Sequence, residues 1–246
     1  MRWEDEGLLL SVRKYGETSA LIELLTRSHG KRAGLLRGAF KKNIRPIIQP
    51  GNQLQLTWSS RLEQSLGQFK VELLRSRFHL ISRNKEKIHL LNLVCTFCSA
   101  YLPERDSVNN LYQRTINLLD SEKELLVNLL CYIKWEMTLL KDLGFGLDLR
   151  KCVVTGSSDS LSFVSPKSGC AVSRQAAKGW EDRLLILPDF LTNKDENENV
   201  SPKGIEDGLL LTGYFLKKWL SPVKKYNSEP LFDTRDRLLN YLKSNL

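Results

Sequence analysis

The sequence predicts an α+β chain of several domains, in which a β-barrel precedes an α-helical bundle. Residues 6–76 carry short apolar runs and a polar-apolar alternation, both typical of strands. Residues 82–144 instead carry apolar residues at helical spacing. A Ser/Gly-rich stretch over residues 147–171 interrupts this helical pattern, which then returns. We therefore expect strands first, and then helices with one small insertion.

The first domain is predicted to contain five short strands, each bounded by turn signals. Lys14-Tyr15-Gly16-Glu17 and Ser28-His29-Gly30 form the first two turns, and prolines punctuate the longer connection after the third strand. The predicted strands are Gly7–Arg13, Thr18–Thr26, Lys31–Gly38, Asn52–Ser59 and Gly67–Arg75. Five strands in so short a segment fit a small barrel, and the OB-fold is the commonest barrel with this count.

The second pattern predicts three helices between Ser82 and Gly144. Pro103 separates the first two, Asp120-Ser121 is predicted to cap the third, and Gly144-Phe145-Gly146 ends it. After the excursion, Gly204–Leu220 and Thr234–Leu246 read as amphipathic helices, and Asn193–Asn199 is a polar loop. The predicted domains are an OB-fold barrel at 1–80, helical parts at 81–147 and 179–246, and an insertion at 148–178.

The composition favours a cytoplasmic protein without disulfides. No apolar run approaches the length that spans a bilayer, and Glu4-Asp5-Glu6 stand where a signal peptide would be basic. The five cysteines are an odd number in a chain too long to depend on disulfides, so reduced thiols are expected. We predict no membrane association.

Positive charge is concentrated in the predicted barrel. Residues 1–80 hold 14 Lys and Arg against 7 Asp and Glu, whereas the whole chain has a net charge of +9. A concentrated basic surface favours a polyanion partner, because each cation that meets a phosphate releases condensed counterions. The alternative is a solvated basic face that only aids solubility.

The cations cluster around one connection between strands. The segment Arg37 to Pro46 contains four cations and one aromatic residue, and we expect it to be a loop with no core to serve. OB-folds bind nucleic acid on one sheet face and its adjoining loops. The predicted DNA contacts are therefore Lys31, Arg32, Arg37, Lys41, Lys42, Arg45 and Arg61, with Phe40 as a base-stacking side chain. Trp58 and Phe40 could each stack on bases or belong to the barrel core.

A second basic cluster lies at the end of a predicted C-terminal helix. It comprises Lys217, Lys218, Lys224 and Lys225, near Trp219. A helix C-terminus favours cations through its dipole, which is sufficient to explain the first pair. The functional alternative is a second DNA contact, or a patch that receives an acidic tail of a partner.

The sequence contains no motif typical of an enzyme. Nucleotide-binding glycine loops and metalloprotease motifs are absent, and His29, His79 and His89 are not grouped with nucleophiles or metal ligands. Cys95 and Cys98 lie three apart within a helical pattern, where cysteines commonly act as small core hydrophobes. A nuclease would need clustered carboxylates for Mg²⁺, and the N-terminal acids show no such grouping. We predict no catalytic residue, metal or cofactor.

Several stretches, taken in order, resemble the RecO family of bacterial recombination mediators. They include Tyr15-Gly16-Glu17-Thr18, the stretch from Thr26 to Lys31, Arg37-Gly38-Ala39, Gln49-Pro50-Gly51-Asn52 and the stretch from Trp58 to Gly67. Leu139 to Leu147 and Ser165-Pro166-Lys167-Ser168-Gly169 continue the similarity. The resemblance runs nearly from end to end.

The resemblance implies an OB-fold, a helical bundle and a small inserted module that binds zinc in some members. It also implies binding to single- and double-stranded DNA and annealing of complementary strands covered by single-strand binding protein. Together with RecR, such proteins load RecA at gaps in the RecFOR pathway, within the SOS response, and they bind the acidic tail of single-strand binding protein. They work at the nucleoid and lack bond-making chemistry.

The chain departs from the family's zinc pattern of two C-x-x-C pairs. Cys152 stands at the first ligand position, but Thr155, Ser173 and Ala176 stand at the other three, and Cys170 comes too early. Since structural zinc needs four thiolate or imidazole ligands, we expect the insertion to lack metal. We expect packing to hold it instead, through Val153, Val154, Leu161, Phe163 and Val164. The sequence-based hypothesis is a DNA repair and recombination mediator; the alternative is a protein-binding adaptor with an incidental basic surface.

Overall fold

The chain forms two compact units, residues 1–120 and 121–246. A computed structural model describes residues 1–62, 65–78, 85–192, 200–221 and 232–238. Among its described residues, the first unit holds the barrel together with two helices that were predicted to belong to the helical bundle. The four-part division into domains stays a prediction.

A closed five-stranded barrel forms the core of the first unit. Its strands are β1 (Arg2–Tyr15), β2 (Ser19–Thr26), β3 (Lys31–Leu36), β4 (Gln53–Ser59) and β5 (Gln68–Arg75). They close in the order β1-β2-β3-β5-β4, and only the β3–β5 pair is parallel. The five predicted strands are confirmed, and the sheet is consistent with an OB-like fold.

The first strand begins five residues earlier than predicted, at Arg2 rather than Gly7. Its start is acidic, which hid the strand pattern, yet it pairs along β4 from Arg2 opposite Ser59 to Leu8 opposite Gln53. Trp3 lies opposite Trp58 in this register, and their rings stack at 5.4 Å. Aromatic cross-strand pairs stabilise sheets. The Trp3–Trp58 pair therefore offsets the low strand propensity of the acidic residues that follow Trp3.

Alternate strand residues fill the barrel interior. The fully buried members include Leu9, Ile22, Leu24, Leu54 and Leu56. Trp58 is only 2% exposed and belongs to this core, which decides between the two alternatives left open for it. An indole buried inside the barrel cannot stack on a nucleobase as an exposed platform does.

The segment after β3 packs its apolar residues into the barrel core and is not a wholly solvated loop. We call residues 37–48 the basic cap. Its backbone makes successive helical turns, with Ile44 N donating to Lys41 O at 3.0 Å and Ile48 N donating to Ile44 O at 3.2 Å. Ala39 and Ile48 are buried in the barrel core, and Ile44 packs against it. The prediction that this segment serves no core is therefore wrong, because its apolar residues recur at helical spacing and face inwards.

The described part of the first unit also contains two helices, α1 (Lys85–Tyr101) and α2 (Asn109–Asp120). Cys95 and Cys98 lie buried on α1, which confirms the prediction that they act as small core hydrophobes. Burial raises the pKa of the Cys95 thiol to about 12 and that of Cys98 well above its usual value. Both side chains therefore remain neutral thiols at physiological pH.

The second unit is built on α3 (Leu125–Asp142) and α4 (Pro202–Leu220), and residues 232–238 are also helical. The predicted cap at Asp120-Ser121 is wrong: the residue before α3 is Glu124, and its side chain forms no capping hydrogen bond. Asp120 instead accepts hydrogen bonds from Arg77. Gly144 ends α3 as predicted, with a φ of 85° that favours glycine.

A small three-stranded sheet lies between α3 and α4 in the chain. Its strands are β6 (Leu161–Val164), β7 (Ala171–Ser173) and β8 (Leu185–Ile186), in the order β7-β6-β8. The third strand, β8, lies beyond residue 178 and pairs with β6 of the same sheet. The predicted loop 193–199 and residues 239–246 of the last predicted helix lie outside the described residues.

The packing of this module agrees only partly with the sequence prediction. Val164 is fully buried, and Leu161 and Phe163 pack against the small core. Val153 and Val154 are 55% and 70% exposed, so assigning them to the core was wrong. They lie in a tight turn, closed by Gly156 N donating to Cys152 O at 2.8 Å, which directs them to solvent. No described helix is long and apolar enough to cross a membrane.

Candidate nucleic-acid interface

The basic cap presents four exposed cations on its outer surface. These are Arg37, Lys41, Lys42 and Arg45. Arg45 N donates to Lys41 O at 3.0 Å, so these two residues lie one helical turn apart and share a side of the cap. Within the described ranges, none of the four forms an ion pair with a carboxylate. Phe40 is 39% exposed beside them.

The inward-facing apolar residues of the cap determine where its cations point. Because Ala39 and Ile48 are anchored in the core, the polar residues between them must face solvent. Burial of the apolar residues thus gathers positive charge at one end of the barrel. Arg61 is also exposed, just after β4.

Arg32 is held against two aromatic rings. Its guanidinium carbon lies 5.7 Å from the ring centroid of Trp3 and 5.8 Å from that of Trp58, and its Nε donates to His29 O at 3.1 Å. A guanidinium at this distance from an indole is attracted by the ring and is oriented by it. The sequence pattern indicated Arg32 but not Trp3 as a candidate site residue. The Trp3–Trp58 pairing that would have indicated it depends on strand register.

His29 belongs to the same cluster and has a structural role. Its ring stacks on Trp3 at a centroid distance of 4.0 Å, and Nδ1 lies 2.8 Å from Asp5 Oδ2. Ser28 N also donates to Asp5 Oδ2, at 2.9 Å. These bonds fix the turn between β2 and β3, and therefore the start of the strand that carries Arg32.

Lys31 does not face solvent. It is only 8% exposed, and its ammonium group donates to the carbonyl oxygen of Ser99 on α1 at 2.7 Å. Ser99 Oγ in turn donates to Glu23 Oε2 on β2. Lys31 thus helps to fasten α1 to the barrel, and we remove it from the DNA contacts predicted from the sequence.

The two described lysines of the second basic cluster, Lys217 and Lys218, are exposed, and both have partners within the fold. Lys217 Nζ pairs with Asp236 Oδ2 at 2.8 Å. Lys218 Nζ donates to the carbonyl oxygens of Pro166 and Lys167, and lies 5.6 Å from the ring centroid of Trp219. Both ammonium groups therefore already contact oxygen atoms of neighbouring segments. Lys224 and Lys225 lie outside the described residues, as does His79.

The four positions of the family's zinc pattern do not offer a zinc site here. Ser173 N donates to Cys152 Sγ at 3.2 Å, and Ala176 N donates to Ser173 Oγ at 3.4 Å, so three of the four positions are close neighbours. Their side chains supply one thiol, two hydroxyls and a methyl, which do not fit a metal that needs four thiolate or imidazole ligands. Within the part of the chain that the structure describes, no three His, Cys, Asp or Glu side chains are grouped for metal binding.

Hydrogen bonds converge on the Cys152 sulfur instead. Burial alone would raise the pKa of Cys152, but hydrogen bonds from the side chains and backbones of Ser173 and Thr155 lower it to about 6. A thiolate at neutral pH would therefore accept these hydrogen bonds at the centre of the module.

The ionisation of Cys152 gives a prediction. The thiolate absorbance of the native protein minus that of Cys152→Ser should titrate with a midpoint of about 6. Because the pKa is lowered in the folded state, the stabilisation is complete above pH 9.0 and is lost as the pH falls through about 6. A midpoint near 9 would show that the hydrogen bonds do not stabilise the charged sulfur.

The chain is similar to known proteins over almost its whole length. The model of the family described as "Recombination protein O N terminal" matches residues 1–77, and that described as "Recombination protein O C terminal" matches residues 84–227. A relative called DNA repair protein RecO, from Cereibacter sphaeroides, is 46% identical over 242 residues, or 98% of both chains. Relatives of the same name from Ruegeria sp. and Rhodopseudomonas palustris are 44% and 40% identical; each match covers 98% of this chain, and 98% and 93% of the respective relative.

Proposed function

The chain belongs to the RecO family of DNA repair and recombination proteins, and from this we propose that it is a DNA-binding mediator that anneals complementary strands. The observation that carries the proposal is the basic cap, four exposed cations on one short segment that is anchored in the barrel core. Arg32 and Arg61 extend the proposed contact surface, and Phe40 would stack on a base. Trp58 is not among the proposed base-stacking residues, because its side chain is buried in the barrel core.

Annealing requires a surface that neutralises two strands without holding either by its sequence. Each single strand carries one charge per phosphate, and the strands repel each other until cations reduce that charge. Lysine and arginine side chains on a rigid cap can do this, because their ammonium and guanidinium groups contact phosphates and read no base. Such a surface should bind single and double strands alike.

The proposed partners follow from family membership. We propose that the protein acts on strands covered by single-strand binding protein, binds the acidic tail of that protein, and works with RecR to load RecA at gaps. A groove of about 440 Å³ in the second unit includes Phe163 and Phe190 in its lining. It is lined by as many acids as cations, Asp189 and Asp207 beside Arg174 and Lys203, so its charge does not select an acidic tail.

The DNA proposal is tested by reversing the charge of the basic cap. Six phosphate contacts predict a slope of log affinity against log salt of about −4 for single strands. The triple variant Lys41→Glu, Lys42→Glu, Arg45→Glu should reduce this slope to about −2 and weaken binding at least tenfold. Fluorescence anisotropy of a labelled oligonucleotide over a range of salt concentrations measures both quantities.

The matched control reverses three lysines of the small module, Lys151, Lys167 and Lys178, which are all exposed. It changes the net charge by the same amount and should leave the slope unchanged. An unchanged slope in the basic-cap variant would remove the cap from the DNA surface. The cap variant should also fail to anneal strands covered by single-strand binding protein, whereas the control should anneal them.

Binding and incubation experiments with DNA also distinguish the proposed mediator from two other functions. A protein-binding adaptor with an incidental basic surface would leave the mobility of a labelled oligonucleotide unchanged even at low salt. A nuclease would degrade DNA in the presence of Mg²⁺, whereas a mediator without catalytic residues should leave it intact.

A further inference from the structure

A cavity of about 250 Å³ lies beside the first half of β3. Its lining includes Arg32 and Ala33 of the strand, Trp58 of β4, Leu66 before β5, and Glu104 and Arg105 between α1 and α2. It therefore combines two guanidinium groups with aromatic and aliphatic surface. This combination differs from that of the basic cap, which presents only cations and one phenyl ring.

The wall formed by Leu66 is rigid. The backbone of Gly67 lies against the Trp58 indole so closely that a Cβ atom there would come within 2.2 Å of Nε1. Gly67 also has a φ of 69°, which favours glycine. Its carbonyl oxygen accepts a hydrogen bond from Leu35 N at 3.0 Å, so the residues before β5 are fixed to β3.

The opposite wall is the connection between α1 and α2, which docks on the start of β3. Lys31 and Glu104 form a parallel bridge, and Arg105 N donates to Lys31 O at 3.0 Å. Gly30 allows this approach, since a Cβ atom there would lie 2.0 Å from the carbonyl oxygen of Asp106. Arg105 itself has a φ of 72°, and its side chain is exposed at the cavity.

We propose that this cavity binds one unpaired nucleobase of a DNA strand, with Arg105 contacting the adjoining phosphate. The inference rests on the proposed DNA-binding function and adds a site for a single base to it. A base offers a planar apolar face and polar edges, which match the indole-backed guanidinium of Arg32, the side chain of Leu66 and the Glu104 carboxylate. A paired base cannot leave its stack to enter without an energetic cost, so the site favours single strands.

The position of the cavity suits a strand that also contacts the basic cap. Ala33 and Arg37 are four residues apart on the same β-strand and its continuation, which corresponds to about 13 Å. Neighbouring phosphates can therefore reach both places. The cap supplies affinity for any strand, and the cavity adds a preference for strands whose bases are unpaired.

The test compares two single strands of equal length and charge, one with thymine bases and one with every base removed. The native protein should prefer the strand with bases by about fivefold or more, which is the lower range for one stacked base. The variants are compared in a Phe40→Ala background, because Phe40 is itself proposed to stack on a base. In that background Ala33→Leu fills the cavity and should abolish the remaining preference while leaving the affinity for the abasic strand unchanged. Gln55→Leu, an exposed position on β4 outside the cavity, is the control and should retain the preference.

Arg105→Asn is the second variant, since asparagine tolerates a positive φ. It should lower the salt slope by about 0.7, the value for one phosphate contact on a single strand. Direct evidence of insertion is quenching of a single 2-aminopurine base by the native protein, which Ala33→Leu should remove. Because stacking on Phe40 would also quench this base, the decisive readout is quenching by Phe40→Ala, which retains the cavity and is informative even where Ala33→Leu fails to fold.

The outcomes distinguish the two proposals. Binding of neither strand would overturn DNA binding itself, and the cavity with it. Equal binding of both strands by the native protein, without quenching of 2-aminopurine, would overturn the cavity proposal alone. A preference that Ala33→Leu leaves intact would place the base-binding site elsewhere and would likewise overturn it.

Discussion

Replacing Glu136 by Gln is expected to lower the free energy of unfolding of the second unit by about 3–5 kcal/mol. Glu136 is fully buried on α3 and forms two hydrogen bonds with Arg235, Oε1 with Nε at 2.7 Å and Oε2 with Nη2 at 2.9 Å. The substitution keeps the shape of the side chain but leaves a buried guanidinium without its counter-charge. Urea unfolding followed by the helical circular dichroism signal measures the loss.

Arg235 cannot escape this cost by losing its proton. A guanidinium group stays protonated in proteins. In the native protein, burial lowers the pKa of Arg235, but the charge and hydrogen bonds of Glu136 outweigh burial and raise it above its usual value. Nη2 also donates to Leu209 O at 2.7 Å and to Thr212 Oγ1 at 3.0 Å, which ties the helical segment 232–238 to α4. The backbone of Gly213 makes room for the guanidinium, since a Cβ atom there would lie 2.4 Å from Nη1.

The matched control for this pair is Asp236→Asn. Asp236 lies in the same helical segment as Arg235 and pairs with Lys217 at 2.8 Å. Both side chains of this pair are more than 40% exposed. Exposed ion pairs contribute about 0–1 kcal/mol, so the control should change the free energy of unfolding by no more than that. A loss of under 1 kcal/mol for Glu136→Gln would show that the buried pair does not hold the unit together.

Replacing Arg77 by Met is expected to destabilise the first unit by a similar amount, about 3–5 kcal/mol. Arg77 is 1% exposed, and its guanidinium binds both carboxylate oxygens of Asp120 at the end of α2, at 2.6 and 3.0 Å. It also donates to Gly51 O at 2.9 Å and to Gln53 Oε1 at 3.3 Å. Methionine fills the volume but removes this donor from Asp120 Oδ1, Gly51 O and Gln53 Oε1, and a buried acceptor without a partner is costly. Asp120 Oδ2 keeps its contact with Arg75.

Arg75→Met provides the control for Arg77. Arg75 pairs with the same carboxylate, Asp120 Oδ2, at 2.9 Å, but its side chain is 51% exposed. Its loss should cost about 1 kcal/mol or less. Thermal unfolding of both variants separates the two positions, and equal losses would contradict the assignment of Arg77 as the buried connection between barrel and helix. Arg77→Lys should recover part of the stability, because it retains the charge without the two-pronged geometry.

Much of the fold could be predicted because strands and helices have different periods. The alternation in Gln53–Ser59 and the helical spacing in Leu125–Asp142 are properties of neighbouring residues, and both elements form where predicted. The first strand was predicted too short, because its acidic start resembles a solvated terminus until Trp3 is placed opposite Trp58. The cap residue of α3 was mistaken because Asp120 has a stronger partner in Arg77, 43 positions away in the chain.

In the candidate site, too, some features could be predicted from the sequence and others depend on tertiary contacts. The sequence indicates where the cations are concentrated, and for the basic cap this was sufficient to identify exposed side chains. It could not show that Ala39 and Ile48 belong to the core, since that requires the open end of a barrel for them to fill. It also could not separate Lys31 from Arg32, because only their burial and their partners differ.

The sequence alone determined the family, the order of strands and helices and the excess of positive charge near the N-terminus, because each of these is written in local pattern or composition. Only the tertiary structure decided what each cation does. Some cations donate hydrogen bonds to carboxylates or carbonyl oxygens within the fold: Arg77, Arg235, Lys31 and Lys218. The four cations of the basic cap instead face solvent. The physical reason is that a charge is stabilised by whatever lies within a few ångströms of it, and residues far apart in the chain supply those neighbours.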